Sequence, residues 1–256
     1  MALRILVIRS DWETATHWGA EWFKRNVVEP AKQNGFDVID LHAEKATKTE
    51  VMRAIREKNP RYVAGIGHGN KHLFTGQNGK TIFIIDDKDT CEASENRIIH
   101  LLSCITAVEL GPYMVDCGAD AYLGYNDVFG FKIDENDFPN KYATPFFDSD
   151  TAIDRAFFAG KTAKQAYQDA IDRFNYWLEH APEVCKPLLL HDRNALTLLG
   201  DENAKITVST KIEGEIGAIG EVKVKIPLWR KILNAIITIL KKIWEWLREI
   251  LESYSM

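Results

Sequence analysis

A histidine and a cysteine each stand at the end of an apolar run, and together they could perform nucleophilic catalysis. His68 follows the run Arg61 to Gly67, and Cys104 follows the run Ile98 to Ser103. A thiol is nucleophilic only as the thiolate, and a neighbouring imidazole can take its proton or stabilise its charge. A lone cysteine is more commonly an apolar core residue and a lone histidine a hydrogen-bonded structural one. It is the matching position of the two residues that predicts a catalytic pair.

A parallel sheet would bring these two residues together, because the carboxyl ends of neighbouring parallel strands meet at one edge. The apolar patterning predicts strands and helices in alternation, which favours a parallel sheet covered by helices on both faces. Asn78-Gly79 predicts a hairpin turn between the two site strands. The predicted strands are Leu3 to Ile8, Phe36 to Leu41, Arg61 to Gly67, Ile98 to Ser103 and Ala121 to Tyr125, with Leu188 to Leu199 extended; the predicted helices are Thr16 to Gln33 with a kink or early end at Pro30, Lys48 to Lys58, Ala107 to Cys117 and Thr151 to His180 broken at Gly160.

Gly69, directly after the histidine, has a chemical reason to be glycine. Without a side chain it lets a substrate carbonyl approach a backbone N–H, as an oxyanion hole requires. The backbone amides of Gly69 and Cys104 are therefore the candidate oxyanion-hole donors. No metal is expected, because the spacing of His68 and His72 suits ligands on a helix and glycines flank His68.

The order strand, His-Gly, about three dozen residues, strand and Ser-Cys resembles the caspase-like cysteine peptidases of clan CD. The segment LLSCITAVELGPYMVDCGADAYLGY is similar to the gingipain and CHAT branch, and so is Leu190 to Asp201, although Glu202 replaces that branch's proline after Gly-Asp. The resemblance covers about residues 3 to 203. It implies a three-layer sandwich with a mostly parallel central sheet, and a peptidase with a His68–Cys104 dyad, no obligatory third carboxylate and no cofactor.

The resemblance also says where specificity would be set. In related peptidases the loops after the first strand, the Cys strand and its successor line the pocket for the residue before the cut. Here those loops contain Arg9, Asp11 and Asp127, and Ser103 is a further candidate. Asp127 or Asp11 would select Arg or Lys, whereas Arg9 would select Asp. The acidic net charge and Asp127 favour Arg or Lys; the alternative is that these charges are solvated or paired with one another.

Net charge and cysteine spacing bear on the kind of partner and on the cellular location. A net charge of -5 over 256 residues gives no basis for general nucleic-acid binding, so the expected partner is a peptide or protein substrate. The first apolar run is too short for a secretory signal. The cysteines show no CxxC spacing, which favours reduced thiols, a packing role for Cys117 and a cytoplasmic protein; they are Cys91, Cys104, Cys117 and Cys185.

The pattern changes after residue 203, which is the predicted end of the peptidase domain. Residues 204–226 alternate apolar and charged positions and predict a β-hairpin, and residues 227–256 predict an amphipathic helix with its apolar stripe from Leu228 to Tyr254. The longest charge-free stretch of this helix has too few residues to cross a bilayer. Homo-oligomerisation, peripheral membrane association and packing on its own chain all fit this pattern.

A second function class stays open. A caspase-like domain without activity could act as a scaffold or signalling domain, with the C-terminal helix mediating oligomerisation or membrane docking. A flavodoxin-like or Rossmann-like cofactor protein fits less well, because RSDWETATH after the first strand carries no phosphate-binding fingerprint.

Overall fold

The structure is a computed structural model that describes residues 3–134 and 139–206. Its strands are β1 (Arg4–Arg9), β2 (Asp37–His42), β3 (Tyr62–Ile66), β4 (Leu73–Thr75), β5 (Thr81–Ile84), β6 (Ile98–Leu102), β7 (Ala121–Tyr125) and β8 (Leu196–Gly200). Six of them form one sheet in the order β2-β1-β3-β6-β7-β8. The first five run parallel, and β8 lies antiparallel to β7.

Helices cover both faces of this sheet. Within the described residues they are α1 (Thr14–Phe23), α2 (Glu29–Gln33), α3 (Lys48–Lys58), α4 (Lys88–Ser94), α5 (Leu110–Asp116), α6 (Thr144–Asp150), α7 (Ala152–Phe158), α8 (Ala163–His180) and α9 (Lys186–Ala195). Alternate residues of β1 enter opposite cores: Ile5 packs with α1 and α6 to α8, and Leu6 packs with α3 to α5. The predicted three-layer α/β class is confirmed, and it is consistent with a caspase-like fold.

The strand register sets the positions of the two candidate catalytic residues. Ile66, the last residue of β3, pairs with Leu102, the last residue of β6. His68 and Cys104 each follow that pair by two residues. Because neighbouring strands lie about 4.8 Å apart, both residues leave the sheet at the same edge and level.

Two local predictions hold with refinements. The helix predicted from Thr16 to Gln33 is divided into α1, a π-helical turn at Lys24–Val28 and α2. Pro30 has no N–H to donate to the preceding turn, which accounts for the irregular segment before it. The hairpin predicted at Asn78-Gly79 is formed by β4 and β5, with both turn residues at positive φ.

The extended segment predicted at Leu188 to Leu199 is wrong over its first part. Lys186–Ala195 forms α9, and only Leu196–Gly200 is a strand. Pro187 suits the first turn of a helix, and Leu189 and Asp192, three residues apart, are both buried on one side of it. Helical spacing therefore decides which residues of this segment face the core.

The expectation of reduced cysteines and the packing role given to Cys117 are also wrong. Cys91 in α4 and Cys117 after α5 form a disulfide, with their Cα atoms 4.9 Å apart. The packing of α4 beside α5 brings together residues 26 positions apart, which spacing alone could not indicate. Disulfides persist mainly in oxidising compartments, so this pairing counts against the expected cytoplasmic location. Cys104 and Cys185 are free thiols.

The predicted C-terminal elements lie outside the described residues. This holds for the amphipathic helix at 227–256 and for the hairpin at 204–226 from residue 207 onward. Oligomerisation, membrane association and packing of that helix remain predictions. Within residues 3–134 and 139–206, no helix is both long enough and apolar enough to cross a bilayer.

Candidate functional site

His68 and Cys104 line one cavity at the carboxyl edge of the sheet. The cavity has a volume of about 100 Å³. Its walls come from the start of α1, the ends of β3 and β6, the segment after β7, and α6; the lining residues are Ala15, Thr16, Ile66, Gly67, His68, Leu102, Ser103, Cys104, Phe129, Phe131 and Phe147. The topology thus gives a thiol, an imidazole and an apolar pocket in one place.

The Cys104 side chain is half-buried, and its Sγ lies 3.8 Å from the carbonyl oxygen of Phe129. Burial raises the pKa of the Cys104 thiol above its ordinary value. Backbone hydrogen bonding, first of all at Phe129, opposes this effect of burial, and any negative charge on Asp192 or Asp127 adds to it. The cysteine therefore rests as a thiol near neutral pH and needs a base for attack.

His68 is held by a carboxylate that the sequence did not indicate. Its Nε2 lies 3.2 Å from Oε1 of Glu13, and its ring and that of Trp12 form a T-shaped pair with centroids 5.9 Å apart. Burial alone would raise the pKa of Glu13, but hydrogen bonds from the Ala15 and Thr16 N–H groups hold it below its usual value. An ionised Glu13 favours the proton on Nε2 of His68, which leaves Nδ1 as the basic nitrogen.

Glu13 has two functions in the local structure. It is the N-cap of α1, and its side chain accepts from the backbone N–H groups of Ala15 and Thr16 at 3.0 and 2.7 Å. This capping box fixes the carboxylate before it meets the histidine. The only sequence signal for it is the spacing of Glu13 and Thr16 directly before an amphipathic run.

His68 and Cys104 both lie in the described part of the chain, and no hydrogen bond joins their side chains. His68 is half exposed, with 49% of its side chain accessible. Catalytic hydrogen bonds in unliganded enzymes are commonly long and shorten when substrate binds. The missing hydrogen bond in the unliganded protein is therefore compatible with a proton transfer between the two side chains during a reaction.

The two predicted oxyanion donors have the required freedom. The N–H of Thr75 donates to the carbonyl oxygen of His68, and the N–H of Asn70 donates to that of Leu73. These two hydrogen bonds flank the bridge between Gly69 and Phe74, so the N–H of Gly69 points away from β4. Among the described residues, no carbonyl accepts from the N–H of Gly69 or of Cys104. Neither N–H is thus engaged by another backbone group there, and the role of the two amides as oxyanion donors stays a prediction.

Glycine at position 69 is also a packing requirement. A Cβ there would lie 2.2 Å from Oγ of Ser103 and 2.9 Å from the carbonyl oxygen of Leu73. Ser103 Oγ is buried and has no hydrogen-bond partner within the described part of the chain. The close approach of the two segments thus depends on the missing side chain.

The residue after the cysteine has a strained backbone. Ile105 has a φ of 62°, a left-handed conformation that a β-branched residue rarely adopts. Its N–H donates to the carbonyl oxygen of Asp127 at 3.0 Å, which anchors the turn to the segment after β7. Backbone strain of this kind costs about 1–3 kcal/mol and is concentrated at functional sites.

Of the four predicted specificity residues, only Ser103 lines the cavity. Arg9 is buried and makes two hydrogen bonds of 2.8 Å to Asp40. Asp11 lies between His17 and His42, at 2.9 and 2.8 Å from their ring nitrogens.

Asp127, the residue that favoured basic substrates, is also outside the cavity lining. It is exposed, and its carboxylate accepts from the N–H of Val128 at 2.7 Å. Three aromatic residues that the sequence did not indicate form one wall instead: Phe129, Phe131 and Phe147. Two of them come from the VFGF segment after β7, whose apolar character in a loop was the available signal.

A second cluster of ionisable groups lies beneath this aromatic wall. His100 is fully buried between Asp150 and Asp154, each 3.2 Å from a ring nitrogen. Tyr125 donates to Asp150 and Tyr62 donates to Asp154, at 2.8 and 2.7 Å. Burial alone would lower the pKa of His100, but the charges of Asp154 and Asp150 raise it to about 10.

One histidine and two carboxylates are a metal-ligand set by residue type, and their ligand atoms lie within 4.8 Å of one another. A metal needs a free imidazole lone pair, whereas both nitrogens of His100 face carboxylates in hydrogen-bonding range. The geometry is that of an imidazolium paired with two carboxylates. This cluster supports the fold under the site.

Comparison with solved structures finds several similar chains, and one of them is a distant structural neighbour. It is a secreted C11 cysteine protease from Bacteroides thetaiotaomicron, solved in complex with an irreversible peptide inhibitor, with 12% identity and a TM-score of 0.36. The match covers 50% of this chain and 49% of that chain, so it spans about half of the neighbour's length. No family model and no curated protein matches the chain. These results do not support the narrower assignment to the gingipain and CHAT branch, and so distant a likeness does not transfer an activity.

Proposed function

We propose that the protein is a cysteine endopeptidase in which Cys104 is the nucleophile and His68 the general acid and base. The observation that carries this proposal is the shared cavity: the two residues follow paired strand ends and line the same pocket. Free backbone N–H groups beside both residues supply the third component that acyl transfer requires. The substrate would be a peptide or protein.

The reaction proceeds through a thioester. Cys104 Sγ forms a bond to the scissile carbonyl carbon while its proton passes to Nδ1 of His68. His68 then returns that proton to the leaving nitrogen as the C–N bond breaks and the amine departs. Water attacks the thioester carbon and its proton passes to His68. The C–S bond then breaks to release the acid, and His68 returns that proton to Sγ, which restores the thiol.

Two features of the site favour this sequence of steps. The N–H groups of Gly69 and Cys104 would stabilise the oxyanion that forms in both tetrahedral states. Glu13 lies at Nε2 of His68 and would stabilise the imidazolium that exists between the two proton transfers. Because burial raises the pKa of Cys104, proton transfer accompanies attack rather than preceding it.

The decisive experiment is covalent labelling with acyloxymethyl-ketone peptides, measured by intact-protein mass spectrometry. The panel carries Arg, Lys, Asp, Asn or Leu next to the reactive group. We expect a single adduct on Cys104 that is absent in Cys104→Ala and forms at least about 100-fold more slowly in His68→Ala. Cys185→Ser is the matched control, because Cys185 is the other free thiol and should not affect the rate. An adduct that persists in Cys104→Ala would contradict the assignment.

A non-catalytic scaffold is the second candidate, and two observations favour it. The pKa of Cys104 is raised by burial, and no hydrogen bond joins its thiol to His68. In that case the folded protein, with Cys104 confirmed as a free thiol, would form no adduct with any peptide of the panel. It would still react with iodoacetamide at alkaline pH.

A further inference from the structure

We propose that the cavity beside Cys104 receives an uncharged aliphatic side chain from the substrate residue that precedes the cut. This inference rests on the proposed peptidase activity and names its substrate class. It replaces the expectation of Arg or Lys at that position, which depended on Asp127 or Asp11 forming the pocket floor.

The size of the cavity is the first argument. It measures about 100 Å³. Pockets for drug-sized ligands measure about 300–1,000 Å³, so this much smaller space suits a side chain of a few heavy atoms. Valine, leucine, isoleucine and methionine have side chains of this size. The side chain of arginine is almost twice as large.

The chemistry of the walls is the second argument. Phe131 stacks at an angle on Phe147 with ring centroids 4.7 Å apart, and Phe129 lies 6.3 Å from Phe147. Ile66 and Leu102, the paired ends of β3 and β6, also line the cavity. An aliphatic side chain entering here exchanges water for aromatic and aliphatic contacts, which is favourable in proportion to the apolar surface removed from water.

The third argument is the absence of a partner for a substrate charge. Among the described lining residues, only His68 and Cys104 can ionise. Arg9 is paired with Asp40, and Asp11 lies between two histidines, so neither offers its charge to the cavity. Glu13 lies behind Ala15 and Thr16, but its carboxylate is already engaged by His68 and by two backbone N–H groups. Among the described residues, a lysine or arginine side chain desolvated at this position would therefore find no unengaged counter-ion, which is unfavourable.

Asp192 lies close behind the part of the wall formed by Phe129 and Phe131. It is fully buried, and its Oδ1 accepts from the N–H of Gly130, between Phe129 and Phe131. Its Oδ2 has no hydrogen-bond partner within the described residues. Burial raises the pKa of Asp192 to about 8, so it is mainly neutral at pH 7. It adds no anion that would attract a basic side chain, and a variant at this position tests that reasoning.

The experiment measures kcat/KM for fluorogenic tetrapeptides that differ only in the last residue: Ala, Val, Leu, Phe, Arg, Lys or Asp. We expect leucine or valine to exceed arginine, lysine and aspartate by at least about tenfold. Equilibrium binding of the same peptides to Cys104→Ala, followed by fluorescence polarisation, measures pocket preference independently of catalysis.

Two substitutions change the size of the cavity in opposite directions. Phe131→Ala enlarges it and should raise the ratio of phenylalanine to leucine cleavage at least about tenfold. Ala15→Leu fills it from the first turn of α1 and should lower the ratio of leucine to alanine cleavage by a similar factor. Each result is a ratio of two substrates on one protein, so a misfolded fraction cancels.

The outcomes separate the two proposals. Cleavage that depends on Cys104 but prefers arginine or lysine would overturn the aliphatic pocket and leave the peptidase intact; loss of that preference in Asp192→Asn would identify Asp192 as the selecting group. If wild type cleaves nothing while Cys104→Ala binds the leucine peptide more tightly than the arginine peptide, the peptidase assignment fails and the pocket chemistry stands. Equal binding of all peptides would overturn the pocket.

Discussion

Replacing the Cys91–Cys117 disulfide should lower the stability of the described fold by an amount that follows from its loop. The bond joins residues 26 positions apart. The chain-entropy relation gives a loss of about 12 cal/mol/K from the unfolded ensemble, or about 3.5 kcal/mol at 25 °C. For a unit of roughly 200 residues, 1 kcal/mol shifts the midpoint by about 2–4 °C, so the variant should melt about 7–14 °C lower.

The assay is thermal unfolding followed by circular dichroism, with wild type and Cys91→Ser/Cys117→Ser each measured with and without reductant. Wild type should lose stability on reduction, and the double variant should not respond. Cys185→Ser is the matched control, since it removes a buried free thiol and leaves the disulfide in place. Equal midpoints for oxidised and reduced wild type, with the disulfide verified by mass spectrometry, would refute the reasoning.

Three further predictions concern the site and its support. His100→Gln leaves two buried carboxylates without their cation and should cost about 3–5 kcal/mol of unfolding free energy, measured by urea titration, whereas exposed His180→Gln should cost almost nothing. The pKa of His100 is about 10 when folded against 6.5 for an ordinary histidine, so its stabilisation is complete below pH 6.5 and is lost as pH rises towards 10; an unchanged pH slope in the variant would contradict this. Gly69→Ala should lower kcat/KM by at least about 100-fold, because the new Cβ overlaps Ser103 Oγ and displaces the Gly69 amide, and near-normal activity would show that this close approach is not needed for catalysis. Alkylation of Cys104 by iodoacetamide should still be accelerating at pH 9, because burial raises the pKa of the thiol, and a plateau below pH 7 would show the opposite.

The sequence was sufficient for the parts of the fold that depend on local pattern. Apolar runs of strand length alternate with amphipathic segments, and this order predicted the parallel sheet and the exit of His68 and Cys104 at one edge. Asn78-Gly79 predicted its hairpin because both residues tolerate a positive φ, which the structure has there.

Residues whose role depends on tertiary packing could not be predicted in the same way. Glu13 carries the local signature of a helix cap, and only the fold brings that cap beside His68. Phe147 belongs to α6, 43 residues after Cys104, and reaches the cavity through helix packing on the sheet. The disulfide likewise joins two helices whose contact has no sequence pattern of its own.

Asp192 illustrates how an error in one element changes the chemistry inferred for the site. In an extended strand, the side chains of Leu189 and Asp192 would point to opposite faces, because the two residues are three positions apart. In α9 both side chains are buried on the same side of the helix. Burial then raises the pKa of Asp192, and any negative charge it carries further disfavours the Cys104 thiolate. The free thiolate is thus the less populated form, and in the proposed mechanism His68 would accept the proton as the sulfur attacks. A base that Glu13 holds in one tautomer meets that requirement.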